Sequence, residues 1–272
     1  MYKYVFFFFF ICIITATEAC SYHGDNVFSN RDITDSLIYY SNMKFENSSF
    51  KQDYHITLDS TLTSKAQRIH ALRLVADIYM KEFKEDRDIP FTKLSLQALG
   101  DSLQILAVEE LCLDDPDTKN DYYITYQVWP YFVNEKLSVY QIDHSSCWSR
   151  VHHNSNTSYY CFDKRSNAEI LSNDFFDKTK DGLNLLIEKY LLLFFSGLSS
   201  EKITDINELK DLSFWVTETL HSFGDYAFSE KEMICTFNPY SLSPFDAGTI
   251  TLRIPIEEAK PFLSDTLKEL LF

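Results

Sequence analysis

Residues 237–263 read Phe-Asn-Pro-Tyr-Ser-Leu-Ser-Pro-Phe-Asp-Ala-Gly-Thr-Ile-Thr-Leu-Arg-Ile-Pro-Ile-Glu-Glu-Ala-Lys-Pro-Phe-Leu, and this stretch decides the fold. Four of the seven prolines, Pro239, Pro244, Pro255 and Pro261, fall within it, spaced by aromatic residues rather than by the polar ones usual in a loop. Pro239 and Pro244 fix their own φ and push Asn238 and Ser243 out of the α region, which predicts an irregular, extended and buried segment over Phe237–Phe245. Gly248 follows where a turn needs φ > 0 before a strand. Thr249–Ile254 alternates, placing Ile250, Leu252 and Ile254 on one face. Pro255 suits the first turn of a helix, and Glu257 and Glu258 stand where the helix dipole favours negative charge. The expected order is strand, proline-aromatic crossing, turn, strand, helix.

Working outward, Tyr226–Phe228 and Met233–Phe237 read as strands leading into this stretch. Asn207–Phe223 has Leu209, Leu212, Val216 and Leu220 on one helical stripe, with Gly224 closing the helix. Leu183–Phe195 is so apolar that it is expected to be the most buried helix, yet Glu188, Lys189 and its shortness exclude a membrane span. Further upstream, Tyr159–Asp163 and Ala168–Leu171 form one hairpin around Lys164-Arg165-Ser166-Asn167. Tyr122–Val133 and Lys136–Ile142 form another around Asn134-Glu135. Thr61–Asp86 carries Ile69, Leu72, Ala76, Tyr79 and Phe83 on one stripe, so it is a core-packing amphipathic helix that ends before Pro90. Thr92–Leu113 reads as a second helix. Ser36–Lys44 and Gln52–Leu58 form a first strand pair. The sum is an α+β fold, antiparallel sheets packed against several amphipathic helices.

The chain has 272 residues, enough for one good-sized core or two small ones. Its net charge of −15 opposes nucleic acid and anionic membrane surfaces and favours a cationic partner. Aromatics at 16% set it apart from disordered acidic chains. Residues 1–19 read as a signal peptide: the apolar run Val5–Ile14 is too short to span a bilayer but suits a signal core. Ala19 directly before Cys20 resembles a bacterial lipobox, although Thr17 stands where leucine is usual and Glu18 is unusual there. Lipidation of Cys20 is expected, with plain secretion or a retained anchor as the alternative. Residues 20–35 are then a polar tether, 36–121 an N-terminal strand and helix part, and 122–272 the C-terminal domain. Outside the cytoplasm, Cys112, Cys147, Cys161 and Cys235 can pair in three ways. A Cys147–Cys161 disulfide is expected, with Cys112 and Cys235 pairing or staying as buried thiols.

The residues Phe237, Pro239, Tyr240, Leu242, Pro244, Phe245, Gly248, Ile254, Pro255 and Lys260 match the C-terminal signature of the RsiV-like domain family, domain of unknown function 3298. That signature runs Phe-x-Pro-Tyr-x-(Ile/Leu)-(Ala/Ser)-Pro-(Tyr/Phe), then a glycine, a strand and an Ile-Pro helix start. Phe162-Asp163 and Leu171–Phe176 resemble the family's middle region more loosely. The family typically carries Gly-Gly-Ala-His after its first such hairpin. Here Ser145-Ser146-Cys147-Trp148 stands instead, so the role of that turn is not carried over. Relatives occur in extracytoplasmic parts of anti-sigma factors and beside peptidoglycan deacetylase domains, and in some the domain binds lysozyme. The resemblance therefore implies a binding or sensing module.

For chemistry, the most enzyme-like set is His144, Cys147, His152, His153 and Cys161. It lacks the tight Cys-x2-4-Cys spacing of a structural zinc site, and a disulfide with surface histidines is the plainer reading. Asp114–Asp121 lacks the glycine and closing glutamate of an EF-hand loop and reads as a solvated turn. Nucleophile-elbow, zincin, P-loop and dinucleotide motifs are absent. Glu109-Glu110 and Glu257-Glu258 are adjacent in sequence, so on a helix they point about 100° apart and cannot share a substrate. The expectation is a non-enzymatic, lipid-anchored module of the bacterial envelope, without cofactor, metal or nucleic acid and touching the membrane only through its lipid. Its partner would be a basic protein such as lysozyme, or peptidoglycan. An envelope hydrolase using His152, His153 and a nearby aspartate is the alternative. Tyr240 and Phe245 are the contact candidates, although burial in the core is the plainer reading of both.

Overall fold

The quoted stretch begins as one arm of a hairpin. In the computed structural model, which describes residues 23–24, 36–44, 48–83, 120–147, 153–177, 179, 181–198, 203–211, 220–242 and 248–272, strand β9 (Glu232–Phe237) pairs antiparallel with β10 (Ile250–Pro255) from Phe237↔Ile250 to Glu232↔Pro255. On its other side β9 takes β8 (Asp225–Phe228), so the order of this three-stranded sheet is β10-β9-β8. The expected crossing is thus a hairpin connection that returns the chain beside itself. Ile250, Leu252 and Ile254 are buried on one face of β10, as their alternation requires. Pro255 is the last residue of β10 rather than a helical one. It sits at the end of an edge strand, where its missing N–H costs no ladder bond.

The larger sheet is read in chain order. Its strands are β1 (His23–Gly24), β2 (Ser36–Lys44), β3 (Ser48–Thr57), β4 (Asn120–Val133), β5 (Leu137–Cys147), β6 (Asn154–Asp163) and β7 (Ala168–Ile170). Spatial order follows sequence order among the described residues, β1-β2-β3-β4-β5-β6-β7. The helices among the described residues are α1 (Ser64–Phe83), α2 (Leu183–Leu198), α3 (Ile206–Asp211), α4 (Ile256–Ala259) and α5 (Asp265–Leu271). The architecture is α+β. The expected helix at 92–113 and Cys112 lie outside the described residues, as does much of the helix expected over 207–223, of which α3 and a 3-10 turn at Leu220–Phe223 are seen.

The chain forms two interleaved compact units. One comprises residues 1–56, 71–126 and 145–153. Its buried residues include Tyr39, Phe50, Tyr54, Ile56, Leu74, Ile78, Ile124 and Tyr126. Tyr54 stacks on Tyr39 at 5.5 Å and meets Tyr126 edge-on at 5.8 Å, while its hydroxyl donates to Gln52 Oε1 at 2.7 Å. A buried tyrosine thereby keeps its polar tip satisfied.

The other unit comprises residues 57–70, 127–144 and 154–272. Its core joins Leu137 and Val139 of β5, Cys161 of β6, Ile187 and Leu191 of α2, Phe228, Met233 and Phe237 of the small sheet, and Leu267 and Leu270 of α5. Helix α2 buries Leu183, Ile187 and Leu191, an i, i+4 stripe, and packs on β10. It is not buried all round: Leu185 and Leu193 are 70% and 57% exposed. Its composition is apolar on every side, but only one side meets the sheet.

Gly224 does not work as a helix-closing residue with positive φ. Its role is spatial: a Cβ there would lie 2.7 Å from Cys235 Sγ and 3.0 Å from the end of the Tyr226 ring. Gly224→Ala is therefore expected to destabilise by about 1–3 kcal/mol through overpacking, read as a lowered urea midpoint. An unchanged midpoint would show that Cys235 can give way.

Candidate binding site

The signature stretch is pinned at its first polar residue. Asn238 Oδ1 accepts from Thr157 N–H at 2.7 Å, and its Nδ2 donates to Thr157 O at 2.8 Å and to Asp225 Oδ2 at 2.8 Å. One carboxamide therefore satisfies both backbone polar groups of a β6 residue. Ser241 N–H then donates to Asn238 O at 3.0 Å, closing a turn with Pro239 second and Tyr240 third. Tyr240 has φ +67°. Proline at the second position and positive φ at the third is the type II pattern, whose third residue is ordinarily Gly or Asn. Leu242, 1% exposed, returns the chain to the core.

Two expectations are corrected here. Residues 238–242 form a tight turn rather than an extended run, because the Asn238 pin and the Leu242 anchor leave only the residues between them to reverse direction. Tyr240 is not core: it is 54% exposed, at a backbone conformation costing about 1–2 kcal/mol for a residue with a Cβ. Phe245 lies outside the described residues. Gly248 takes the positive φ expected of it, +67°.

The cysteines also depart from expectation. Among the described residues Cys147 and Cys161 are not joined by a disulfide, and Cys235 is in none either. Cys147 ends β5, while Cys161 stands well beyond the start of β6 at Asn154. At roughly 3.3 Å per residue a strand carries Cys161 about 23 Å past that start, against the ~6 Å Cα separation that a disulfide tolerates. Cys161 and Cys235 are instead core residues, their thiols pushed up by burial. Cys20 and His152 lie outside the described residues. His153 Nδ1 shares a 2.7 Å hydrogen bond with Tyr123 Oη, and the two rings stack at 5.7 Å. No three of the described His, Cys, Asp and Glu residues converge as metal ligands. Of the adjacent carboxylates Glu257 and Glu258, the second is held by Lys189 Nζ at 2.6 Å and Tyr190 Oη at 3.0 Å.

Sequence reasoning missed an open hollow of about 680 Å³. Its walls come from β7 (Ala168, Glu169, Ile170), the segment after it (Asn173, Asp174, Phe176, Asp177) and the start of α5 (Ser264, Asp265, Thr266), with Asp163 at one end. Phe176 bridges to Leu263, and Asp177 N–H donates to Phe262 O at 2.8 Å, holding the second wall to the third. Five of the lining residues are carboxylates, Asp163, Glu169, Asp174, Asp177 and Asp265, and no described lining residue is cationic. Burial works against the charge on Asp163, but hydrogen bonds from Arg165 outweigh it and hold its pKa below the ordinary carboxylate value. Nothing local in the sequence marks this convergence, because the walls lie up to a hundred residues apart.

A second feature also went unread. Asp59, 2% exposed, has every lone-pair direction used: Oδ1 accepts from Thr61 N–H (2.8 Å) and Oγ1 (2.6 Å), Oδ2 from Ser138 Oγ (2.7 Å) and Lys164 Nζ (3.0 Å). Lys164 spends its other two protons on Thr61 Oγ1 (2.6 Å) and Asn134 O (2.9 Å). Asp59 N–H donates to Tyr140 Oη (3.1 Å), which shares a bond with His70 Nδ1 (3.2 Å), and His70 stacks on Phe162 at 4.1 Å. Burial pushes the Tyr140 phenol well up. The Asp59 carboxylate and the Lys164 ammonium are fully engaged with one another and their neighbours, so this pair works as a clamp between distant segments, while His70 Nε2 at the far end of the network is a buried ring nitrogen that meets no hydrogen-bond partner among the described residues.

The class is thus an α+β protein with a small three-stranded sheet, a pinned aromatic turn and an acidic hollow. Residues 168–257 match the family model described as "Protein of unknown function (DUF3298)". Among solved structures the chain is similar to a DUF3298 family member from Bacteroides fragilis, at 14% identity and TM-score 0.56 over 90% of this chain and 95% of that one. It is also similar to a DUF3298 family protein from Pseudomonas aeruginosa, at 13% identity and TM-score 0.54 over 87% and 97%. At such identities the likeness is one of fold. No curated protein matches the chain.

Proposed function

We propose that this chain is a non-enzymatic binding module of RsiV-like type, tethered outside the cytoplasm by lipid on Cys20, and that it recognises a basic protein such as lysozyme or a component of the cell wall. The observation that carries this reading is Tyr240. A bulky residue holds φ +67° here while 54% exposed, and such strain collects where a side chain must be presented. An amphipathic tyrosine on a short, pinned turn is a low-entropy contact residue. The acidic hollow and the net charge of −15 favour a cationic partner.

The test is binding of the purified full-length chain to lysozyme and to peptidoglycan at low and at high salt. The expected result is binding to one of them, weakened by salt if the partner is the protein, and weakened about tenfold or more by Tyr240→Ala. Tyr240→Gly should show the same loss while leaving stability unchanged or raised by up to about 1 kcal/mol, since glycine relieves the left-handed strain. Binding to neither ligand, or full binding by both variants, would overturn the reading.

A further inference from the structure

The sheet order gives the hollow a second property besides its charge. Among the described residues β7 is the terminal strand of the larger sheet and β6 its one strand partner, with Cys161↔Ile170, Phe162↔Glu169 and Asp163↔Ala168 in register. All three of its residues line the hollow, so the outer edge of the sheet forms one wall of a space about 680 Å³ in volume. Terminal strands are commonly protected by being very short or by lysine, proline or a covering element, and of these β7 has brevity, at three residues. β7 carries neither lysine nor proline, and the volume beside it lies in the range of ligand sites.

We propose that the hollow takes an extended, basic peptide segment of the partner as an added strand along β7. Main-chain hydrogen bonds to an edge supply affinity, and alternate side chains of the added strand fall on one face, where pockets read them. Here the surrounding side chains are Asp174 and Asp177 beyond the strand, Glu169 on it and Asp265 across the hollow. Lysine or arginine at every second position would meet them, while Ile170 and Phe176 supply apolar surface for the aliphatic stems. Charge therefore selects the occupant and the strand edge sets its conformation. This deepens the reading above, since it names the part of a basic partner that is gripped. It adds a contact distinct from Tyr240.

The test uses the purified full-length chain and a hexapeptide alternating threonine and lysine, compared with its threonine-glutamate analogue and with a version N-methylated at alternate backbone nitrogens. The lysine peptide should bind, the glutamate peptide should not, and N-methylation, which leaves the charge unchanged, should weaken binding about tenfold or more. Hydrogen exchange at the amides of residues 168–170 should slow with the lysine peptide. Asp174→Asn with Asp177→Asn, at solvent-accessible positions that leave the core intact, should weaken it further and flatten its salt dependence. Equal binding of the N-methylated peptide, or unchanged exchange at 168–170, would overturn strand addition. If lysozyme or peptidoglycan binds and Tyr240→Ala abolishes it, yet the lysine peptide neither binds nor competes, this proposal fails and the binding-module reading stands. If nothing binds, both fail.

Discussion

Replacing Lys164 by methionine is expected to lower stability by about 3–5 kcal/mol, because the Asp59 carboxylate would stay buried without its countercharge. The geometry sets the size. The Asp59 side chain is 1% exposed and that of Lys164 11%, so water can do little to replace the lost ammonium. The same substitution also strips Thr61 Oγ1 and Asn134 O of a donor. Urea unfolding of Lys164→Met and of the double variant with Asp59→Asn would check this, the second change recovering part of the loss by removing the stranded charge. A loss under about 1 kcal/mol, the range of surface ion pairs, would show the clamp to be dispensable. Acid should act on the same group. Burial works against the Asp59 charge, but hydrogen bonds from Thr61, Ser138 and Lys164 prevail and its folded pKa is lowered from 3.8. A lowered folded pKa means stability that is present above the ordinary carboxylate value and lost as pH falls from there through the folded one. The clamp is thus complete at neutral pH and fails only in strong acid.

The second large effect belongs to Phe237. It is 1% exposed, ends β9 opposite Ile250 and belongs to the main core. Phe237→Ala should cost about 3–5 kcal/mol, and the void would open directly before Asn238. A distinguishing readout is partner binding by the fraction still folded: loss of ring volume at the base of the turn should also loosen Tyr240. If Phe237→Ala lowers the urea midpoint yet folded protein binds as well as the parent, the turn is held by Asn238 and Leu242 alone.

What could be read from the sequence was local. The hairpin turn at Asn134 was legible because its chemistry sits within four residues: Asn134 Oδ1 accepts from the N–H groups of Lys136 and Leu137. β10 was legible from its period of two, and Gly248 from the scarcity of glycine. Asn238 looked like a bystander between Phe237 and Pro239, since its partners Thr157 and Asp225 are distant in the chain. Asp59 and Lys164 had no visible tie for the same reason. Helix α2 misled because hydrophobicity reports how much apolar surface a segment has. It does not say how much of it a neighbour will cover, and Leu185 and Leu193 stay outside. The cysteines misled because two flanking strands suggest proximity, while the pitch of a strand separates residues that sequence places close together.

The strands of the larger sheet lie side by side in the order in which the chain presents them, and that arrangement bears on assembly. A polypeptide delivered amino end first can lay each strand against the one before it, so most pairing needs only short loops to close. The Asp59–Lys164 pair is not local in this way: its partners stand 105 residues apart, so the carboxylate has its countercharge only once β6 and the bend after it are present. A chain ending before residue 164 would therefore carry the Asp59 carboxylate with no ammonium to match it, and the same strands would have to bury that charge alone or leave it in water.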